Sequence, residues 1–295
     1  MNKILNLCRR KTNQSKMSQP LSTSELIKKY QLDAKKSLGQ NFILDKNFTD
    51  KIAKSAGDLS NFEVLEIGPG PGGLTRSILD AGVKKLFVIE KDQRCILALK
   101  ELQEFYGSRL EIIEGDALEI DETKIFNDDS QFKIIANLPY NIGTVLIFKW
   151  LKILPKIASM NLMLQKEVVQ RICAKIDDKN YGRLAIMLNL LCDTKMLFEV
   201  NKMVFSPPPK ITSAIVQIIP NAEKIEKYFE KNNLKKFEKI VQQAFNQRRK
   251  MLKSSLKGAV VNQDLAEIFL KCNIDGTKRA EELSIEEFWK ISQFF

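Results

Sequence analysis

The chain contains no histidine. That absence removes the side chain that titrates nearest neutrality and serves most often as general base and metal ligand, so mechanisms built on imidazole are excluded. Cysteine is sparse and scattered. Cys8, Cys95, Cys173, Cys192 and Cys272 form no C-x-x-C pair, which argues against zinc or redox chemistry and for reduced, packing thiols. No metal site is expected. No apolar run reaches the length of a membrane span, and residues 1–20 lack the uninterrupted apolar core of a secretory signal. A cytoplasmic protein with no membrane partner is expected. Acid is the minority charge: 36 Asp and Glu face 47 Lys and Arg, and the net of +11 suits an acidic partner such as nucleic acid.

What is present is enough chain, 295 residues, for one large or two modest domains. Residues 1–20 carry Lys3, Arg9, Arg10, Lys11 and Lys16 with no acid, and read as a disordered basic leader or an over-long start with Met17 as the initiator. Ser24 before Glu25-Leu26-Ile27 opens a short helix over Ser22–Tyr30, and Thr49–Ala56 reads as another. Between them, residues 35–45 form a polar loop interrupted by apolar side chains, in which Gln40 and Asn41 stand out.

The organising stretch is Val64 to Thr75, Val-Leu-Glu-Ile-Gly-Pro-Gly-Pro-Gly-Gly-Leu-Thr: a buried strand, a glycine hinge and a helix start. Such a first strand-to-helix turn is where nucleotide-like ligands sit in doubly wound sheets, and glycine lets backbone approach them closely. Gly68, Gly70 and Gly73 satisfy G-x-G-x-x-G, so the spacing alone leaves a nicotinamide cofactor and S-adenosyl-L-methionine both open. Two neighbours separate them. Pro69 and Pro71 each remove an N–H that would cradle a pyrophosphate, and the Glu66 carboxylate opposes an anion while suiting an ammonium or sulfonium.

Strands and helices then alternate in the manner of a parallel α/β sheet. Lys85–Ile89 ends at Glu90, Leu110–Ile113 ends near Asp116, and Lys133–Ala136 ends at Asn137, so polar residues gather at strand ends, where open α/β sheets bind ligands. Glu90 is placed to accept from ribose hydroxyls and Asp116 from the exocyclic amine of adenine. A helix around Thr144–Leu154, a strand at Leu162–Leu164, helices over Lys166–Lys175 and Tyr181–Leu191, and a hairpin of Phe198–Val204 with Ala214–Ile219 complete the sheet. Beyond Pro220 the character changes: residues 221–258 hold 11 Lys and Arg against four Glu in helical periodicity. This composition predicts a helical nucleic-acid-binding domain over 221–295, following a catalytic domain over 21–220.

Asn137-Leu138-Pro139-Tyr140 carries the chemistry. Adenine N6 is a poor nucleophile because its lone pair is delocalised into the ring. The Asn137 amide oxygen and the Leu138 carbonyl can each accept one N6–H and localise that pair toward a methyl donor, on a turn stiffened by Pro139. Tyr140 can stack on a base taken out of its helix.

With these residues in place the sequence resembles the small-subunit ribosomal RNA adenine N6,N6-dimethyltransferase family. The resemblance runs from about residue 24 to 295. It rests on Leu38-Gly39-Gln40-Asn41-Phe42-Ile43, Glu66-Ile67-Gly68-Pro69-Gly70, Asn137-Leu138-Pro139-Tyr140-Asn141-Ile142, Tyr181-Gly182-Arg183-Leu184, Phe205-Ser206-Pro207-Pro208-Pro209-Lys210 and Phe245-Asn246-Gln247-Arg248-Arg249-Lys250. It implies a Rossmann-like methyltransferase sheet with helices on both faces, a small all-helical C-terminal domain, and S-adenosyl-L-methionine as methyl donor. The implied reaction dimethylates two adjacent adenines near the 3′ end of small-subunit rRNA, in a partly assembled ribosomal subunit, by a monomeric enzyme. Asn41, Ile43, Gly68, Glu90, Asp116 and Asn137 would contact the cofactor, together with Gln40, Glu66 and Gly70 of the same motifs. Tyr140 and Phe205 would sandwich the target base, while Arg248, Arg249, Lys250 and Lys253 would hold RNA. Thr212, where members commonly carry Asp, and Ser37-Leu38 depart from the family's usual residues.

Three rival readings fit parts of the chain. The large-subunit rRNA adenine dimethyltransferases of antibiotic resistance share nearly the same pocket motifs but differ in the C-terminal region. A non-catalytic RNA-binding factor on this scaffold has no need of an intact Asn-Leu-Pro-Tyr, and a nicotinamide dehydrogenase is disfavoured by the two loop prolines.

Overall fold

The computed structural model describes residues 19–32, 41–126, 130–258 and 264–295. Ser22 caps α1 (Thr23–Lys29) in a reciprocal pair with Glu25, each satisfying a backbone N–H of the other. A two-residue strand β1 (Phe42–Ile43) and α2 (Lys46–Ser55), capped by Asp45, lead into β2 (Glu63–Ile67). The alternation that follows is α3 (Gly73–Asp80), β3 (Lys85–Glu90), α4 (Gln93–Tyr106), β4 (Leu110–Glu114), β5 (Phe132–Asn137), α5 (Gly143–Trp150) and β6 (Ile157–Gln165). Next come α6 (Lys166–Ile172), α7 (Arg183–Asn189), β7 (Cys192–Val200), β8 (Phe205–Ser206) and β9 (Ser213–Pro220). After Pro220 the described chain is helical: α8 (Ala222–Tyr228), α9 (Lys231–Asn246), α10 (Leu252–Ser255), α11 (Leu265–Cys272) and α12 (Ile285–Ser292).

Among the described residues the main sheet has seven strands in the order β4-β3-β2-β5-β6-β9-β7. Its members run parallel except β9, which is antiparallel to both β6 and β7. Strand order reverses between β2 and β5, and a crevice opens at the carboxyl ends of those two strands, the place where open α/β sheets receive ligands.

The period-two pattern of the strands divides the interior into two cores. Leu65, Ile67, Phe87, Ile89, Ile134 and Ala136 face one side, with α5, α6 and α7. Val64, Leu86, Val88 and Ile135 face the other, with α2, α3 and α4. The first core runs on without interruption into Phe237, Ile240 and Val241 of α9 and Phe288 and Ile291 of α12. Polar ties cross the same junction: the Tyr181 hydroxyl donates to Leu283 O at 3.0 Å, and Arg183 pairs with Glu238 at 2.7 Å.

Three elements differ from the sequence-based expectation. The strand expected at Leu162–Leu164 extends over Ile157–Gln165, because Ser159 and Asn161 break the apolar run in the sequence yet lie buried in the strand, Asn161 donating to Ser55 O at 3.1 Å. The strand expected at Phe198–Val204 is Cys192–Val200, since the Asn201 side chain accepts from Met203 N at 3.0 Å and turns the following residues into a 3₁₀ helix. Within the polar loop assigned to residues 35–45, Phe42 and Ile43 form β1, paired antiparallel with Ser206 and Phe205 of β8. Among the described residues, no helix is long and apolar enough to cross a membrane.

Candidate active site

The crevice at the β2/β5 switch is a cleft with about 950 Å³ of atom-free space, its open mouth included, room for a nucleoside ligand. Its floor is the glycine turn between β2 and α3. Gly70 takes φ +56°, a left-handed conformation that side chains resist, and a Cβ there would lie 3.1 Å from the Phe42 ring. Gly73 opens α3 directly beneath β1, and a Cβ on it would stand 2.7 Å from Ile43 O. Strand β1 thus roofs the turn at a spacing that only glycine permits.

Three N–H groups of this turn are already engaged. Gly68 N donates to Ile89 O at 2.9 Å, Gly72 N to Pro69 O at 3.0 Å, and Gly70 N to Glu90 Oε2 at 3.0 Å, while Pro69 and Pro71 have no N–H to offer. The other Glu90 oxygen accepts from Lys91 N and Asp92 N, both at 2.9 Å. Burial pushes this carboxyl above its usual range, and the three backbone N–H groups oppose the shift. Three donors hold the carboxylate in one orientation at the cavity wall.

Asp116, after β4, also lines the cleft. Leu118 N donates to its Oδ1 at 3.0 Å and Lys91 Nζ lies 3.3 Å from Oδ2, and these contacts hold its carboxyl below the ordinary range, the Leu118 N–H contributing most.

Glu66 corrects one expectation. Its side chain is 1% exposed, its Oε2 accepts from the Thr75 hydroxyl at 2.7 Å, and burial pushes its pKa to about 8, with the Glu90 charge adding to the rise. The shift favours the neutral acid, which weakens the anion-repelling role expected from the sequence, and the burial behind it comes from the assembled fold. The case against a pyrophosphate rests instead on the turn's engaged amides and its prolines.

On the facing side, Asn137 ends β5 and its Nδ2 donates to Asn41 O at 3.4 Å. Leu138 N is tied to Met163 O at 3.2 Å, and Pro139 O accepts from Ile142 N and Gly143 N, which folds the tetrad into the first turn of α5. The Tyr140 hydroxyl lies 2.7 Å from Ser213 Oγ at the start of β9, fixing one edge of the ring.

Asn41, Ile43, Glu66, Gly68, Gly70, Glu90, Asp116, Asn137, Leu138, Pro139 and Tyr140 therefore surround one cavity. Gln40 falls outside the described residues. Phe205 does not line the cleft: it is 4% exposed and sits beside Ile43 in the β1–β8 ribbon. Phe42, Lys91, Ala117 and Ile142 line it without having been singled out from the sequence. For Lys91 a signal existed, its place directly after the strand-end Glu90.

The basic residues that follow α9 divide in two. Arg249, Lys250 and Lys253 are exposed. Arg248 is committed: its guanidinium pairs with Glu281 and donates to Lys179 O at 2.9 Å, so it holds the helical part to the residue 179 loop.

Comparison with known proteins agrees with this geometry. Residues 31–295 match the family model described as ribosomal RNA adenine dimethylase. The chain belongs to that family. Within the dimethylase family, a ribosomal RNA small subunit methyltransferase A from Allorhizobium ampelinum is 46% identical over 275 residues, 91% of this chain and 95% of that protein. The structure of a dimethyladenosine transferase from Plasmodium falciparum superposes with a TM-score of 0.71 at 29% identity, covering 85% of this chain and 95% of the other. A 23S rRNA methyltransferase, ErmE, shares the fold with a TM-score of 0.64 at 24% identity, covering 86% of this chain and 98% of that one. The dimethylase family is thus one of enzymes that methylate rRNA adenines on a Rossmann-like sheet with a helical C-terminal part.

Proposed function

We propose that the chain uses S-adenosyl-L-methionine to dimethylate the N6 amines of two adjacent adenines near the 3′ end of small-subunit rRNA, in a partly assembled subunit. The observation that carries the choice of cofactor is the state of the glycine turn. The N–H groups of Gly68, Gly70 and Gly72 are satisfied internally and residues 69 and 71 are prolines, so the turn suits a phosphate-free ligand. Glu90 is set for ribose hydroxyls, Asp116 for the adenine amine, and Asn41, Ile43, Glu66, Gly68, Gly70 and Asn137 complete the cofactor's surroundings. When bound, the cofactor supplies an electrophilic methyl on a sulfonium.

The protein's own work is positional. Asn137 Oδ1 and the Leu138 carbonyl accept hydrogen bonds from the N6–H groups and aim the nitrogen lone pair, while Pro139 stiffens the turn and Tyr140 holds the base flat. No basic side chain is needed before transfer. The methylated ammonium is a strong acid and releases its proton to water.

Arg249, Lys250 and Lys253 grip phosphates, residues 221–295 act as the RNA-holding domain beside a catalytic domain over 21–220, and the enzyme works as a cytoplasmic monomer. Similarity to a small-subunit methyltransferase along almost its whole length supports this substrate over large-subunit rRNA. Transfer of labelled methyl to purified, unmethylated small and large subunits, followed by nucleotide mapping, tests the reading. Label confined to the large subunit overturns it.

A further inference from the structure

Behind the Asp116 side of the cleft lies a partly buried polar brace. Lys149, on the second turn of α5, donates from Nζ to Ala117 O at 2.8 Å and to Ile120 O, and pairs with Glu122 Oε2 at 2.9 Å. Glu122 is 2% exposed, and its other oxygen accepts from the indole N–H of the fully buried Trp150 at 2.8 Å. The braced segment is the turn that presents Asp116. Its near side is closed by Asp116 O, which accepts from Glu119 N at 2.9 Å and Ile120 N at 3.1 Å; its far side is closed by Lys149 alone among the described residues. Helix α5 is in turn the direct continuation of the Asn137–Tyr140 tetrad.

Resting on the function proposed above, we infer that Lys149 is a positioning residue: through the carbonyls of Ala117 and Ile120 it sets Asp116 for the adenine amine and locks that turn to the helix carrying the methyl-transfer tetrad. A buried ion pair gains little net stability over apolar groups of similar volume, so the effect of this one lies in the geometry it enforces. The molecule contains its own control. Lys133 also buries its ammonium against two carbonyls, Ala56 O and Asp58 O, each at 2.8 Å, but at the opposite end of β5 and away from the cleft.

The test is calorimetric binding of S-adenosylhomocysteine and S-inosylhomocysteine to the full chain. The two ligands differ at the position Asp116 reads: the inosyl ligand presents a carbonyl oxygen where the adenosyl ligand presents an amine. Wild type is expected to prefer the adenosyl ligand strongly. Lys149→Met strands the Glu122 charge, so the double variant Lys149→Met/Glu122→Gln, with no buried charge left unpaired, is measured beside it. The double variant is expected to melt cooperatively and to lose about tenfold or more of the preference, the scale set by small misplacements of positioned groups. Lys149→Arg should recover part of it, and Lys133→Met should lower the melting temperature while leaving the preference intact. A double variant with wild-type preference, or a Lys133→Met variant with equal loss, overturns the inference alone. Wild type binding neither ligand overturns the proposed function, and the inference with it.

Discussion

The side-chain amide of Asn137 donates to the backbone carbonyl of Asn41 across 3.4 Å. A carbonyl oxygen only accepts, so the NH₂ group must face Asn41, and Oδ1 is left for another donor. This pairing joins the turn after β5 to the residue that leads into β1. It also sharpens a mutational test. Asn137→Asp keeps an acceptor but sets a carboxylate oxygen against the Asn41 carbonyl, so it should lose the tie as well as the neutral character of the site. In single-turnover assays Asn137→Ala and Asn137→Asp should both slow methyl transfer by roughly a hundredfold, with a much smaller change in cofactor affinity. A near-wild-type rate for Asn137→Asp would show that the amide is dispensable.

The Glu66 carboxyl, raised from 4.5 to about 8 by burial, links stability to pH. The unfolded chain releases this proton near 4.5, whereas the native state holds it, so this contribution is fully present below about pH 4.5 and is lost as pH rises through about 8. Glu66→Gln keeps the acceptor for Thr75 and removes the titration. Melting temperatures measured without added cofactor should fall more steeply for wild type than for the variant across that window. Parallel curves would contradict the assignment.

Gly73→Ala should act on the roof strand. The added methyl meets Ile43 O, a backbone atom that must move, so Asn41, Phe42 and Ile43 are displaced from the cleft. Affinity for S-adenosylmethionine, read as ligand-induced thermal stabilisation, should drop markedly while the secondary structure by circular dichroism is retained.

Replacing Arg249, Lys250 and Lys253 by Ala should reduce the slope of log K for RNA against log salt by about one for each phosphate that is no longer neutralised. Arg248→Ala should behave differently. Its partners are Glu281 and Lys179 O, so it should lower stability, by about 1 kcal/mol or less for so exposed a pair, whether or not RNA is present.

The sequence made the parallel sheet legible because short apolar runs alternate with helical stretches, and polar residues at or just after the ends of β3, β4 and β5 located Glu90, Asp116 and Asn137. It made the turn legible because glycine and proline state their backbone needs directly. It could not disclose the β1–β8 ribbon, whose strands are two residues long and pair Phe42 with Ser206 from the far end of the sheet region. Nor could it disclose the protonation of Glu66 or the commitment of Arg248. Both are set by neighbours that only the fold supplies.

The apolar interior that runs from Leu65 and Ile67 of the sheet to Phe237 and Phe288 of the C-terminal helices makes the molecule a gauge. Sheet and helices cannot separate without exposing that shared core to water, a cost that grows with every apolar side chain uncovered. The span from the basic turn at Arg249 to the tetrad at Asn137 is therefore a fixed length. On the function proposed above, RNA seated by its phosphates at that turn would deliver to the tetrad only an adenine lying that far along it.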